Sequence, residues 1–305
     1  MAEYAPGCPS TMDWCHPSYA SLSFHKDDLI RFLNFPSPLT RAAEPVIASA
    51  WGPGIQKESP APSSHTFKLR GKPWGSTADA SAVASRRLVR DILAHLHAHG
   101  WVVVTSLGHS IRVGSKDSLI FRHAPTSPPS PPTTPSSPLP PSPVPITTTN
   151  WLALSIVKSD RLRVDCANPR LQTRAVTALR NVTERTGFFL SGDWTCDAYE
   201  FRLRDKPWNS HGDTGWARPR MLLLGILEAL DAEGWRSYIS VAQSTVNDEA
   251  KKPDSWYFVM DREPPGETPP APEAVPVIET PIALVRTESR PWGSRNPYAQ
   301  ASFGT

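Results

Sequence analysis

Long apolar runs are missing from this 305-residue sequence. The most apolar segment, 221–230, is already broken by Glu228 and falls short of the roughly 18 residues a membrane helix needs. Cysteine is scarce: Cys8, Cys15, Cys166 and Cys196 are too few and too dispersed for a disulfide framework. Cys8, Cys15 and His16 also lack zinc spacing, because no second ligand pair follows at a finger-like distance. The opening Met-Ala-Glu-Tyr-Ala-Pro has neither the positive start nor the apolar stretch of a secretion signal. Reduced thiols in a cytoplasmic or nuclear protein are therefore expected. A formal net charge of +3 does not demand a polyanionic partner. Enzyme signatures are missing as well: there is no Walker A sequence, no His-Glu-x-x-His and no dinucleotide-binding glycine fingerprint. Gly108-His109-Ser110-Ile111-Arg112 begins like a nucleophile elbow, but Arg112 stands where the second glycine belongs. No cofactor and no metal is implied.

Proline, by contrast, is abundant. Segment 125–145 contains 11 prolines in 21 residues, with serine and threonine making up most of the rest. Such a stretch lacks backbone donors and apolar surface, so it reads as a polyproline-like spacer. Residues 263–305 repeat the composition with nine prolines. The expected organisation is a tail at 1–17, a first block at 18–123, a linker at 124–150, a second block at 151–262 and a tail at 263–305.

The two blocks are copies of one another. Phe67-Lys68-Leu69-Arg70-Gly71-Lys72-Pro73-Trp74 returns 134 residues later as Phe201-Arg202-Leu203-Arg204-Asp205-Lys206-Pro207-Trp208. The same offset aligns Leu88, Ile92, Leu96, Gly100 and Trp101 with Leu222, Ile226, Leu230, Gly234 and Trp235. An offset of 132 pairs Lys26, Asp28 and Arg31 with Lys158, Asp160 and Arg163, and one of 137 pairs Asp117-Ser118 with Asp254-Ser255. Each block reads as a β-hairpin, a helix, a strand ending at Lys-Pro-Trp, a second helix and two closing strands. The second helix, about 82–99 and 217–233, carries one leucine-rich stripe and ends at a glycine suited to a left-handed cap. The fold class is α+β: two homologous tandem domains, each about β-β-α-β-α-β-β, with one mainly antiparallel sheet and two helices on one face.

The pattern Phe-x-Leu-x-x-Lys-Pro-Trp, an Arg-Leu helix, Gly-Trp, then Asp-Ser and a Phe-containing strand resembles a little-described group of eukaryotic, largely fungal proteins. The resemblance covers both blocks and neither proline-rich segment. It implies no activity and assigns no site residues.

Candidate binding residues follow from the repeated motif. Arg70, Lys72 and Trp74, with Arg204, Lys206 and Trp208, place two cations and an indole near one strand end, the chemistry of a phosphate or acidic-peptide contact. The ordinary alternative is an indole packed over the long helix. Block one has 13 basic and 7 acidic residues, block two 16 and 15, so polyanion binding would reside in the first, with Arg86, Arg87 and Arg90. His95 and His99 share a helix face as a metal pair would, although histidine near a helix C-terminus is favoured by the macrodipole alone. The tail holds a third, lone copy of the motif, running from Ile282 through Arg290-Pro291 to Trp292, which could add to a sheet edge in this chain or in a second one. The expected function is a non-enzymatic interaction or scaffold protein with an unknown protein partner. Nucleic-acid binding by the first unit is the alternative, and an unrecognised enzyme comes third. A pseudo-twofold pairing of the two sheet faces is one expected arrangement of the units.

Overall fold

In the first repeat, alternation of apolar and polar residues builds a hairpin from β1 (Tyr19–His25) and β2 (Leu29–Leu33), with Lys26 at φ 51° in its turn. Helix α1 (Ser37–Ala50) carries Pro38 in its first turn, where no backbone donor is required. A second hairpin follows, β3 (Ile55–Ala61) and β4 (Ser64–Leu69), then helix α2 (Asp79–Ala98) and strands β5 (Trp101–Leu107) and β6 (Ser118–His123). The strands form one antiparallel sheet, sheet 1, in the order β3-β4-β2-β1-β6-β5. The computed structural model describes residues 18–76, 78–107, 118–124, 149–209, 217–242 and 255–260. The tails 1–17 and 263–305 and most of the linker 124–150 lie outside them, as do Ser110 and Trp292.

The second repeat runs through the same sequence of elements. They are β7 (Asn150–Val157), β8 (Arg161–Cys166), α3 (Pro169–Arg185), β9 (Phe189–Thr195), β10 (Ala198–Leu203), α4 (Ala217–Ala232), β11 (Arg236–Val241) and β12 (Ser255–Met260). Sheet 2 has the order β9-β10-β8-β7-β12-β11, the topology of sheet 1 strand for strand. Even an irregularity is copied: the register slips between Val103 and Thr105 in β5, and between Ser237 and Ile239 in β11, 134 residues on.

Each unit is therefore ββαββαββ, one strand more than expected. The unanticipated strands, β3 and β9, are sheet edges. β3 is exposed along nearly its whole length and contains Pro60, and β9 contains Gly192, so neither carries the burial pattern that reveals a strand. Inside each unit the two helices cover one face. In repeat 1, Phe24, Ile30, Phe32, Phe67 and Phe121 pack against Ile47, Leu88, Ile92 and Leu96. Repeat 2 repeats this core with Leu154, Leu162, Phe201, Phe258, Leu179, Leu222 and Ile226. Each such side chain contributes about 1.5–3 kcal/mol by leaving water. Gly100 and Gly234 end the long helices at φ 79° and 89°. A Cβ on Gly100 would lie 3.0 Å from the carbonyl oxygen of Ala124.

The two units do not pair sheet face to sheet face. They stack head to tail within one compact body. One side of α2 covers sheet 1, and the other side lies on the outer face of sheet 2. Trp151, Ala153, Tyr257 and Val259, which point away from their own helices, thereby join the core of repeat 1. The pseudo-twofold expectation fails because the outer faces differ in chemistry. Sheet 2 presents this apolar set around a buried carboxylate, Asp165, which accepts hydrogen bonds from Arg87 at 2.7 Å and Arg90 at 2.5 Å. Arg86 donates to the Ser255 hydroxyl at 3.1 Å, and Arg163 is held between Glu200 and Asp79 at 2.5 Å each. At the sheet edges, the Val103 amide donates to the Tyr238 hydroxyl at 2.9 Å, and burial pushes that phenol up to about 12.

Asp165→Ala strips Arg87 and Nη1 of the buried Arg90 of their carboxylate and leaves Arg90 with Asp91 alone on its Nε, so it should lower the unfolding free energy of the full chain by about 3–5 kcal/mol in urea denaturation. Replacing all three charges, as in Arg87→Met/Arg90→Leu/Asp165→Leu, should cost far less than the single change, because among the described residues the only carboxylate that then loses a partner, Asp91, is partly exposed. A triple variant as unstable as Asp165→Ala would contradict this account of the joint.

Candidate interaction surface

Strand register determines what each sheet presents outward. On sheet 1, Tyr19 stands opposite Arg122, Ser21 opposite both Leu33 and Ile120, and Arg31 opposite Thr66, all on the face away from α1 and α2. Tyr19 is 53% exposed, Leu33 45% and Val104 55%. Their counterparts on sheet 2 are Trp151, Asp165 and Tyr238, of which Trp151 and Asp165 are no more than 5% exposed because α2 lies over them. Sheet 1 thus shows to solvent the same face that sheet 2 has covered. Tyr19, Leu33, Ile120 and Val102, interleaved with Ser21, Arg31 and Arg122, give this face the mixed apolar and arginine composition of a docking surface. At the opposite end of the molecule, α4 shows Met221 and Leu224, 62% and 52% exposed.

The repeated Arg-x-Lys-Pro-Trp serves a different purpose from the one its composition suggests. Trp74 is buried, its ring centroid 4.7 Å from that of Phe24. Its indole nitrogen donates to the Leu29 carbonyl at 3.2 Å, and its amide donates to the Asp27 carbonyl. Trp208 repeats both bonds, to the carbonyls of Arg161 at 2.9 Å and Ser159. Proline ends the strand and tryptophan latches the chain onto the first hairpin. The guanidinium groups of Arg70 and Arg204 reach back to the carbonyls of Ile55 and Phe189, at 3.4 and 3.0 Å. Lys72 and Lys206 are exposed. The motif therefore brings its cations to the strand end while turning the indole inward. Arg86, Arg87 and Arg90 are brought together, but at the joint with sheet 2.

Matching the copies does not single out Tyr19, Leu33, Val104, Met221 and Leu224. The signal lies in the mismatches: Leu33 stands where the second copy has Asp165, and Met221 and Leu224 stand where the first has Arg87 and Arg90.

One protein-family model, describing a single domain, matches the chain twice, over residues 18–122 and 150–259. No curated protein and no solved structure matches it significantly.

Repeat 1 also holds a cavity of about 330 Å³, lined by Pro36, Pro38, Leu39, Ala42, His99, Trp101 and His123. In repeat 2 the positions of Ala42 and His99 are taken by Arg174 and Glu233, which pair at 2.8 Å. Beside the cavity, His95 donates from Nε2 to the Leu39 carbonyl at 3.2 Å, and its ring lies 4.6 Å from that of His99. Burial, aided by His99 and opposed by the Leu39 bond, holds His95 below its ordinary value of 6.5. Because the folded value is depressed, the stability carried by neutral His95 is complete above that ordinary value and is lost as pH falls through the folded one. A proton NMR titration should place His95 below 6.5, and His95→Asn should flatten the acid side of the stability profile. A midpoint at or above the ordinary value would contradict the assignment.

Proposed function

Because the chain belongs to the family whose domain matches residues 18–122 and 150–259, and carries that domain twice, we propose that it is a non-enzymatic protein-interaction module whose binding surface is the outer face of sheet 1. The observation that carries this reading is the exposure of Tyr19 and Leu33 on a face whose copies, Trp151 and Asp165, are covered in the same molecule. A sheet face that takes a helix in one repeat has the shape to take one in the other. Duplication has kept the backbone of that face while changing what covers it.

Polyanion binding is less well supported. Three of the arginines that make the first repeat basic, Arg86, Arg87 and Arg90, face sheet 2 and are hydrogen-bonded within the joint. The 330 Å³ cavity offers little chemistry to an enzyme, since among the described residues its lining holds two imidazoles but no carboxylate, hydroxyl or thiol.

Affinity capture with the native chain and with a Leu33→Asp variant, quantified by mass spectrometry, tests the reading. Leu33 is exposed, so the variant should melt with the native chain. A protein retained by the native chain, the chain itself included, should be about tenfold depleted on the variant, as expected when a charge enters an apolar contact. Equal recovery on both would count against the face as a binding surface. Retention on heparin that survives Leu33→Asp would favour the polyanion alternative.

A further inference from the structure

Each half of the internal joint has a counterpart at the other end of the molecule. Helix α4 is the copy of α2, and sheet 1 is the copy of sheet 2. We propose that the chain self-associates head to tail, with α4 of one copy seated on the outer face of sheet 1 of the next, as α2 is seated on sheet 2. The inference rests on the reading of that face as an interaction surface and names its occupant, a second copy of this chain.

The argument is the matched set of differences between the two halves. In the joint, Arg87 and Arg90 of α2 meet Asp165 of sheet 2. The corresponding positions at the free ends are Met221 and Leu224 on α4 and Leu33 on sheet 1, all three exposed. Had only one side changed, a charge would face an apolar group. Both sides have changed together, and an ionic contact has become an apolar one. Such a joint is no less stable for the exchange, since a buried ion pair replaced by fitted hydrophobes is often neutral or stabilising.

Two further positions agree. Arg220 and Ser118 repeat Arg86 and Ser255, the hydrogen-bonded pair of the joint. Where Ala94 and Val259 belong to one apolar cluster, the ends carry Glu228 and Arg122, of opposite charge. Contacts of this kind use two different patches, so the association is heterologous. It repeats from copy to copy, and the rotation between successive copies decides whether a ring or a filament forms.

Sedimentation velocity of the full chain at rising concentration tests the proposal, and exchanged charges supply the specificity arm. The native chain should form a concentration-dependent series beyond the dimer. Leu33→Asp alone, and Met221→Arg/Leu224→Arg alone, should each be monomeric, with association weakened about tenfold or more. Mixing the two variants should restore association. The pair of arginines introduced on α4 then meets the aspartate introduced on sheet 1, as Arg87 and Arg90 meet Asp165 in the joint.

A native chain that stays monomeric throughout the micromolar range, or one whose association ignores both variants, overturns the proposal. If it stays monomeric while Leu33→Asp abolishes capture of another protein, the occupant is wrong and the interaction surface stands. If deleting 280–296 uncovers the sheet 1 face to hydrogen exchange in the monomer, the occupant is the chain's own tail. If Leu33→Asp alters neither association nor capture, both readings fail.

Discussion

Strands β7 and β12 of sheet 2 carry apolar residues on both faces, and this is the constraint on which the arrangement of the chain depends. Trp151, Ala153, Tyr257 and Val259 point one way, and Leu152, Leu154, Phe258 and Met260 the other. Helices α3 and α4 cover only the second set. A sheet with such an outer face cannot stand in water beside a merely tethered neighbour, so it recruits α2 as its cover. The arginines of α2 then need a partner in the same layer, and Asp165 provides it. Apolar area supplies the attraction, while the buried charges select which surface is allowed to supply it.

Much of the fold is legible because duplication tests each element twice. A leucine stripe followed by Gly-Trp forms a helix and then a strand in both copies, and both glycines adopt the left-handed backbone the reading requires. The edge strands escape notice because an edge is defined by its unpaired side and not by burial, and Ile55 to Ala61 offers almost no apolar alternation. The joint is illegible for a different reason. Arg86, Arg87 and Arg90 look like a solvated basic face, and only the placement of sheet 2 turns them inward. Trp74 and Trp208 illustrate the same limit: composition identifies an indole beside cations, but the carbonyl of Leu29 or Arg161 at hydrogen-bond distance decides that it is a latch.

The two repeats share a backbone and have parted in their surfaces. Residues that hold the unit together are kept, down to the register slip in β5 and β11 and the paired tryptophan bonds. Residues that face outward are free to change, and they differ in kind: aspartate against leucine on the sheets, arginine against methionine and leucine on the helices. The cavity beside Trp101 has the same origin, since Ala42 and His99 stand where Arg174 and Glu233 pair in the other copy.

The order of the repeats along the chain has its own consequence. Synthesis proceeds from the N-terminus, and the leading unit folds before the trailing one has left the ribosome. The leading unit can wait in water, because the side of α2 it leaves uncovered is arginine-rich. The trailing unit could not, since its sheet would display tryptophan, tyrosine and valine. Placed second, it meets a finished platform as soon as it forms, so the greasy side of the nascent chain is sheltered almost from birth.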